Sequence, residues 1–444
     1  MADEALAVFD YLNMPQLMAE SKKLASGSGT VADVAVPAIF RRTVIREALY
    51  KTVGLDFVDS GVSTFGASET IPYSYRDTSA ASNANARVYE GQEIPRAGVI
   101  QTSELAYPIP QKMSFELSDE LRHLTSARQL KWDALAENVA NTTRIIKEDT
   151  DLLLLNEMIR ASDEYGAAPV VSEDLGLQSN GANNLFILAN FPVVRPRAVY
   201  DLQGGQIGNT ANPITVTYNS AARAEYDGTG NQPAGIYYVL EYNLGEIYLV
   251  DETGAIITPI NGTAYTISYS YATNVFNFDT DEGAIEASIH WDDFLYRYGL
   301  RKSSIEDDRF FTPDFGLMSG TVMTQIEQAR KFSANFKKPG TDLAENGNLG
   351  RIKDIPNSKV SGPGLWFKDT RVLIGQRGTT RYRMMKPWEM TAIENQRGPN
   401  GRFTGKKEAY GDQWVVVHTP SQLKGAYTSL VLFSGTARVT RVNP

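Results

Sequence analysis

The three histidines are the side chains most readily used in chemistry, and they are spread along the chain. His123, His290 and His418 lie in different predicted elements, with no second ligand cluster at a usable spacing. His290 precedes Trp-Asp-Asp at 291–293, an order that would suit a metal only if further ligands stood nearby. We therefore expect structural histidines and no metal site.

Acidic clusters and glycine pairs suggest two further kinds of site. The acids lack the spaced oxygen ligands and the glycine of an EF-hand calcium loop. The glycines lack the strand–turn–helix setting and the lysine of a phosphate loop. We expect solvated acidic faces and flexible turns, while paired carboxylates for glycoside hydrolysis stay open because sequence does not show their separation. The acids stand at 148–151, 279–282 and 306–308, and the glycine pairs are Gly27 with Gly29 and Gly362 with Gly364.

The composition is that of a folded, soluble protein. The chain has 444 residues, of which 42% are hydrophobic and 21% charged, enough for two or three domains or one elongated domain with an insertion. It has no cysteine, which excludes disulfides and thiol chemistry and fits a reducing cytoplasm. The acidic N-terminus and the lack of a long apolar run predict neither a signal peptide nor a membrane span.

The net charge of −9 limits the ways in which the chain could bind nucleic acid. Wrapping DNA through a general basic surface requires many phosphate contacts, which this charge disfavours. A container for nucleic acid is still allowed.

Two long elements dominate the first third of the chain. Alternating β-branched and aromatic residues at 70–75 and 98–105 predict the strands of a long hairpin. Because a two-stranded ribbon is not stable alone in water, we expect it to lie on another subunit. Residues 126–162 predict a helix roughly 50 Å long, because apolar residues recur every three or four positions without proline or glycine. Those apolar residues are Trp132, Leu135, Val139, Ile146 and Leu153.

Residues 167–286 form a distinct block rich in Gly, Asn, Thr and Tyr. Alternating runs at 214–218, 235–240 and 264–269 predict a small β-sandwich or β-barrel inserted into a host domain. Between Arg197 and Arg297 the only basic residue is Arg223, whereas acids recur throughout. This charge asymmetry marks a separate unit.

The remaining chain returns to mixed structure. A short helix is predicted at 291–300 and a longer one at 319–336. Strands follow at 370–374, 413–417 and 430–433. The host is therefore expected to be α+β.

A family resemblance rests on several of these stretches. Glu-Gly-Gln-Glu-Ile-Pro at 90–95, residues 105–112, Ser-Asp-Glu-Leu at 118–121 and the long helix resemble the extended loop and spine helix of tailed-bacteriophage major capsid proteins of the Hong Kong ninety-seven type. Residues 314–319 and 369–383 are similar to the family's axial-domain and returning-strand regions. The order of elements agrees as well, outside residues 167–286.

The resemblance implies a domain organisation for an α+β capsid fold. Its parts are an N-terminal arm (1–68), an extended hairpin loop (69–112), a peripheral domain with the spine helix (113–166), an inserted acidic β-domain (167–286), an axial domain (287–368) and returning C-terminal strands (369–444).

The resemblance also implies a function. The chain is expected to be a viral structural protein, not an enzyme, without catalytic residues or cofactors. It would assemble as pentamers and hexamers into an icosahedral shell around double-stranded DNA, in a virion formed in the host bacterial cytoplasm. A portal, a separate scaffolding protein and decoration proteins are the further partners of such shells.

Two departures from the family carry expectations of their own. No lysine stands between Lys51 and Lys112, so the isopeptide crosslink that some members form from a hairpin lysine is expected to be absent. A long charged N-terminal extension, which serves some relatives as a scaffold, is missing too. A separate scaffolding protein, or none, is therefore implied.

Basic residues gather at two places. They could contact DNA, contact an acidic neighbouring subunit, or be ordinary surface charge. We favour subunit contacts, because the rest of the chain supplies complementary acids. The groups are Arg41, Arg42 and Arg46, and Arg371, Arg377, Arg381, Arg383 and Lys386.

Two alternatives stay open. One is a cellular encapsulating shell protein of the same fold that holds enzyme cargo. The other is a β-rich adhesin or carbohydrate-binding protein whose tyrosines form a binding face. In the capsid interpretation the inserted block projects outward, and deleting residues 200–280 should leave the host fold intact.

Overall fold

The computed structural model describes most of the chain. The described residues are 52–63, 66–76, 89–90, 98–118, 134–200, 206–230, 232–280, 287–327, 351–362, 364–367, 370–391, 394–397 and 399–435. The predicted arm up to residue 51 therefore lies outside them. No helix in these ranges is long and apolar enough to cross a membrane.

The described chain is mixed α+β and rich in strands, as expected. Its α-helices are α1 (Ala134–Glu164), α2 (Ala287–Arg309) and α3 (Gly320–Glu327), and its short 3-10 helices are Gly54–Asp56, Gly176–Gln178 and Ser421–Ala426. Its strands are β1 (Asp59–Val62), β2 (Glu69–Arg76), β3 (Val99–Ala106), β4 (Ile109–Ser118), β5 (Ala168–Asp174), β6 (Leu185–Ile187), β7 (Arg197–Tyr200), β8 (Gln206–Ala211), β9 (Thr215–Tyr218), β10 (Ala221–Arg223), β11 (Ile236–Glu241), β12 (Glu246–Asp251), β13 (Ile256–Ile257), β14 (Tyr265–Tyr271), β15 (Val275–Asp279), β16 (Phe315–Met318), β17 (Arg351–Ile352), β18 (Ile355–Lys359), β19 (Arg371–Gly375), β20 (Arg381–Met390), β21 (Glu394–Arg397), β22 (Phe403–His418) and β23 (Thr428–Phe433).

The chain divides into two compact units. The smaller contains residues 111–149 and 387–413, and the larger contains residues 51–110, 150–386 and 414–444. In the smaller unit, β4 and β21 both pair with β22. There Lys406 Nζ lies 2.7 Å from Glu116 Oε2, an exposed pair of the kind that contributes little stability.

The larger unit is built on a six-stranded sheet of order β15-β23-β19-β16-β18-β17. Phe294 and Tyr298 of α2 and Val322 of α3 are wholly buried in a core that includes Val372 and Leu430 of the sheet. A second core joins the last two turns of α1 to Phe315 and Tyr427. Helix α2 runs from residue 287 to 309, longer than the predicted 291–300, because its apolar stripe continues to Ile305.

Helix α1 has 31 residues, which gives a length of about 46 Å. Its predicted start at 126, with Trp132, lies outside the described residues. The predicted inward stripe is only partly right, because Leu153 is half-buried while Leu154 and Leu155 are fully buried. The second half of the helix is covered on several sides, a condition that a single amphipathic stripe does not predict.

The predicted β-block contains two four-stranded sheets around one core. Strands β9, β11 and β14 confirm the strands expected at 214–218, 235–240 and 264–269, and the sheets have the orders β10-β9-β14-β5 and β11-β12-β13 with β6 on β12. Val216, Tyr265 and Ile247 from the two sheets share the core, which makes a β-sandwich.

The end of this block differs from the prediction. Strand β15 pairs in parallel with β23 and so belongs to the host sheet. Residues 275–279 therefore lie outside the sandwich, although the sequence pattern runs on to 286. Deleting residues 200–280 would remove a host strand, and the expectation of an intact host fold is corrected accordingly.

Candidate assembly interface

The hairpin predicted at 69–112 is present as two paired strands. β2 and β3 are antiparallel in unbroken register, from Glu69 opposite Ala106 to Arg76 opposite Val99. They form a sheet of two strands among the described residues. Most of the segment that joins them lies outside the described residues.

The base of the hairpin rests on its own chain. Ile71 of β2 and Ala106 of β3 are buried against Met385 of β20 and Val416 of β22, and Trp414 packs beside them. We expected the support to come from another subunit, and for the base this is wrong. Three apolar side chains from distant segments, Met385, Trp414 and Val416, supply it within the chain.

Beyond its base the hairpin is exposed. Residues 99 to 103 of β3 are exposed at every position, including the apolar Val99 (69%) and Ile100. A β-ribbon that buries neither face has little stability of its own. Val99 and Ile100 therefore leave apolar surface of the ribbon open to solvent in the isolated chain.

Glu104 fastens the hairpin where it meets the body. Tyr73 OH donates to Glu104 Oε1 at 3.1 Å, and the Ser421 N–H donates to both carboxylate oxygens. His418 Nε2 lies 2.9 Å from Glu104 Oε2. Burial alone would raise the pKa of Glu104, but the hydrogen bonds from Ser421, His418 and Tyr73 outweigh it and lower the pKa to about 2.

This lowered pKa predicts acid sensitivity at the hairpin base. Because Glu104 ionises more readily in the folded chain, its stabilisation is fully present above its ordinary pKa of 4.5 and is lost as the pH falls from there through about 2. Glu104→Gln should cost about 1 to 2 kcal/mol after screening by solvent, and should flatten the stability profile between these pH values. Urea unfolding at stepped pH measures both.

Glu116→Gln is the matched control, because Glu116 is an exposed strand glutamate with one lysine partner. It should shift the urea midpoint far less than Glu104→Gln. Equal shifts for the two variants would contradict the fastening role of Glu104.

A charged network joins this point to the end of helix α1. Arg197 Nη1 lies 3.4 Å from His418 Nδ1, while its Nη2 donates to Glu157 Oε1 at 2.8 Å and its Nε to Glu164 Oε1 at 3.2 Å. Lys424 Nζ donates to Glu164 Oε2 at 2.7 Å. Burial would lower the pKa of Arg197, but Glu157 and Glu164 outweigh burial and raise it. We call these residues, with Asp163 and Arg371, the helix-end network.

Arg371 completes the helix-end network in the interior. Its side chain is fully buried and donates from Nη1 to Asp163 Oδ2 at 2.9 Å and from Nη2 to Asp163 Oδ1. The forked guanidinium matches the carboxylate with two parallel bonds. Arg371 was predicted to contact a neighbouring subunit, and that is wrong because no part of its side chain reaches the surface.

The other basic residues predicted to contact a neighbouring subunit differ in their surroundings. Arg383 Nη2 donates to Asp59 Oδ2 at 2.5 Å and its Nε lies 3.8 Å from Glu69, so its charge is used within the chain. Arg377 is exposed, with Nε 3.9 Å from Asp314 Oδ2. A subunit contact stays a prediction for Arg377, Arg381 and Lys386, and the group at Arg41, Arg42 and Arg46 lies outside the described residues.

The acidic cluster at 148–151 is more structural than expected. Asp151 accepts the backbone N–H groups of Val53 (2.9 Å) and Gly54 (2.5 Å), and Asp149 accepts from Gln111 Nε2 at 2.5 Å. Burial raises the pKa of Asp151, against these backbone hydrogen bonds. The expectation of a solvated face fails here, because the carboxylates bond to the backbone and side chains of other segments.

Among the residues that the structure describes, no group of three His, Asp or Glu side chains could hold a metal ion. His418 has the structural role expected of it, whereas His123 and the His290 side chain lie outside the described part. Gly364 has a φ of 78°, as in the turn we predicted.

Sequence reasoning missed the helix-end network. Glu157, Asp163 and Glu164 stand in the last two turns of α1, and its last turn holds no basic residue. Acids are unfavourable at a helix C-terminus, where the backbone dipole is negative. The acids at the end of the helix therefore indicate that buried basic partners lie elsewhere in the chain.

Comparison with known proteins gives structural matches only. No protein-family model matches the chain, and no curated protein does. The chain is similar to the capsid of cyanophage P-SCSP1u at 9% identity and a TM-score of 0.47, over 88% of this chain and 91% of that one. For the mature capsid of bacteriophage PhiM1 the values are 8%, 0.48, 88% and 90%, and for the capsid of Myoviridae phage XM1 they are 9%, 0.44, 88% and 95%.

Proposed function

We propose that this chain is the major capsid subunit of a tailed bacteriophage, a structural protein that assembles with copies of itself and catalyses no reaction. The observation that carries the proposal is the hairpin. Its base is fastened to the body by Ile71 and Glu104, while Val99 and Ile100 stand exposed on the ribbon beyond. A rigidly held but uncovered ribbon suits an element that lies on the next copy. The solved structures to which this chain is similar are also phage capsids.

The physics of such a shell is multivalency. Each subunit makes several modest contacts, and closure of a symmetric shell makes the simultaneous loss of all of them improbable. Weak single contacts also permit correction of errors during assembly. The exposed hairpin and the arm before residue 69 are the parts that we assign to these contacts.

The finer organisation is part of the proposal. We assign the chain to the Hong Kong ninety-seven type fold, with the hairpin as its extended loop, α1 as its spine helix and the β-sandwich as an insertion. The sandwich projects outward, where its acidic side chains face away from the enclosed double-stranded DNA. The lysine-free hairpin leaves the shell without the isopeptide crosslink. Its further partners are a portal, decoration proteins and, unless the shell assembles without one, a separate scaffolding protein.

Electron microscopy of the purified full-length chain tests the proposal. Closed shells of uniform diameter are expected, with double-stranded DNA inside particles taken from infected cells. Shells that hold enzyme cargo instead of DNA would favour the encapsulating protein. A monomer by light scattering at all concentrations, with affinity for glycans, would overturn the proposal in favour of an adhesin.

A further inference from the structure

Phe310, the first residue after helix α2, combines two unfavourable features. Its backbone has a φ of 62°, in the left-handed region. The residue is 88% exposed, the largest fraction among the exposed large hydrophobic residues of the described chain. Both features are properties of the folded subunit itself.

Each feature has a cost that a different residue would avoid. In the left-handed region the Cβ of an L-residue approaches the following carbonyl oxygen, and for this reason glycine is the usual residue just after a helix. An exposed aromatic ring forgoes the large favourable free energy of burying its apolar area. A strained, exposed aromatic residue is therefore a candidate for a function outside the folding of the subunit.

The backbone on the far side of Phe310 is firmly held. The Phe311 N–H donates to Ile305 O at 3.1 Å, and the Thr312 N–H donates to Gln376 Oε1 at 2.9 Å. Phe311 packs against both cores of the larger unit. The Phe310 ring is thus presented on a fixed backbone, which limits the entropy lost when it is buried by a partner.

We propose that Phe310 is an anchor that inserts into an apolar surface of a second copy of this chain. The inference rests on the proposed function, because it takes the partner to be another subunit. One aromatic ring buries about 150 to 250 Å². A stable pair of proteins needs about 800 Å² on each partner. The anchor therefore suits a contact that is repeated around a closed shell, where many small contacts act together.

Phe310→Gly separates assembly from folding. Glycine relieves the left-handed strain, so the unassembled variant should unfold at a temperature no lower than that of wild type. Loss of the ring should lower shell yield by about tenfold or more. Thermal unfolding and electron microscopy of gradient fractions measure the two quantities. Phe310→Tyr keeps the ring and should assemble nearly as well as wild type.

Asp354→Gly is the matched control. Asp354 also has a left-handed backbone, with a φ of 69°, and lies in the exposed turn between β17 and β18. Replacement by glycine at this left-handed position removes no aromatic ring and should leave shell yield as in wild type. An equal loss of shells in both variants would overturn the anchor.

A photo-crosslinking residue at position 310 identifies the partner directly. Phe310→p-benzoylphenylalanine, irradiated in assembled particles, should give a covalent dimer of the chain on a denaturing gel. Irradiated shells of the crosslinking variant without this dimer, or full assembly of Phe310→Gly, would overturn the anchor and leave the proposed function standing. A wild-type chain that never assembles would overturn both.

Discussion

Replacing Arg371 with methionine should lower the free energy of unfolding by about 3 to 5 kcal/mol. The substitution leaves Asp163, whose side chain is 3% exposed, in the interior without the guanidinium that donates two hydrogen bonds to it. A buried carboxylate without its partner is costly because water cannot replace the lost bonds. Urea unfolding of the unassembled subunit, followed by circular dichroism, measures the change.

Two further variants make the Arg371 result specific. Arg377→Met removes an arginine whose pair with Asp314 is half-exposed on both sides, and it should change stability by less than about 1 kcal/mol. The double variant Arg371→Met with Asp163→Leu removes both charges and should recover part of the loss. If Arg371→Met unfolds at the same urea concentration as Arg377→Met, the buried pair does not have the role assigned to it.

Ile71→Asp is expected to reduce shell assembly strongly while leaving most of the subunit folded. Ile71 is fully buried with Ala106, Met385 and Val416, so a carboxylate there would either lose its water or force the hairpin away from the body. In the proposed shell, a hairpin that leaves its fixed direction would no longer meet the neighbouring copy, and shell yield should fall by roughly tenfold or more. Particle counts by electron microscopy give the yield.

Thr70→Asp is the control for charge on the same strand. Thr70 precedes Ile71 and is exposed on the opposite face of the ribbon. This variant should assemble far better than Ile71→Asp. Circular dichroism should show nearly native signal in both variants, and normal shells from Ile71→Asp would sink the idea that the docked base directs the hairpin.

The sequence predicted secondary structure well where a repeating pattern of residue types lies in a uniform environment. The hairpin strands and the sandwich strands alternate, and their predicted positions agree with the structure to within a residue or two. Strand β15 shows the limit of prediction from local sequence patterns. Its pattern resembles that of the sandwich strands, but its partner is β23, about 150 residues away, and no local pattern encodes so distant a pairing.

The candidate interface was predicted in position and not in detail. Alternation predicted a two-stranded ribbon at 69–112 that lies on another subunit, yet it did not indicate that Ile71 rests on β20 and β22 of the same chain. Arg371 and Arg383 were read as surface charge because sequence alone does not give burial. Phe310 carries no local signal either, since its strain is a property of the backbone after the helix ends.

The acidic end of helix α1 has a consequence for the order of folding. An isolated helix that ends in Asp163 and Glu164 without a basic residue in its last turn is opposed by its own dipole. Its last turns become stable only when Arg197, Arg371 and Lys424 arrive from segments up to about 260 residues away. We expect these turns to gain amide-exchange protection late in refolding, after the C-terminal strands have formed. A subunit released before Lys424 is made would then lack a firm end to its longest helix, and in the proposed shell it would be withheld from assembly until that residue is present.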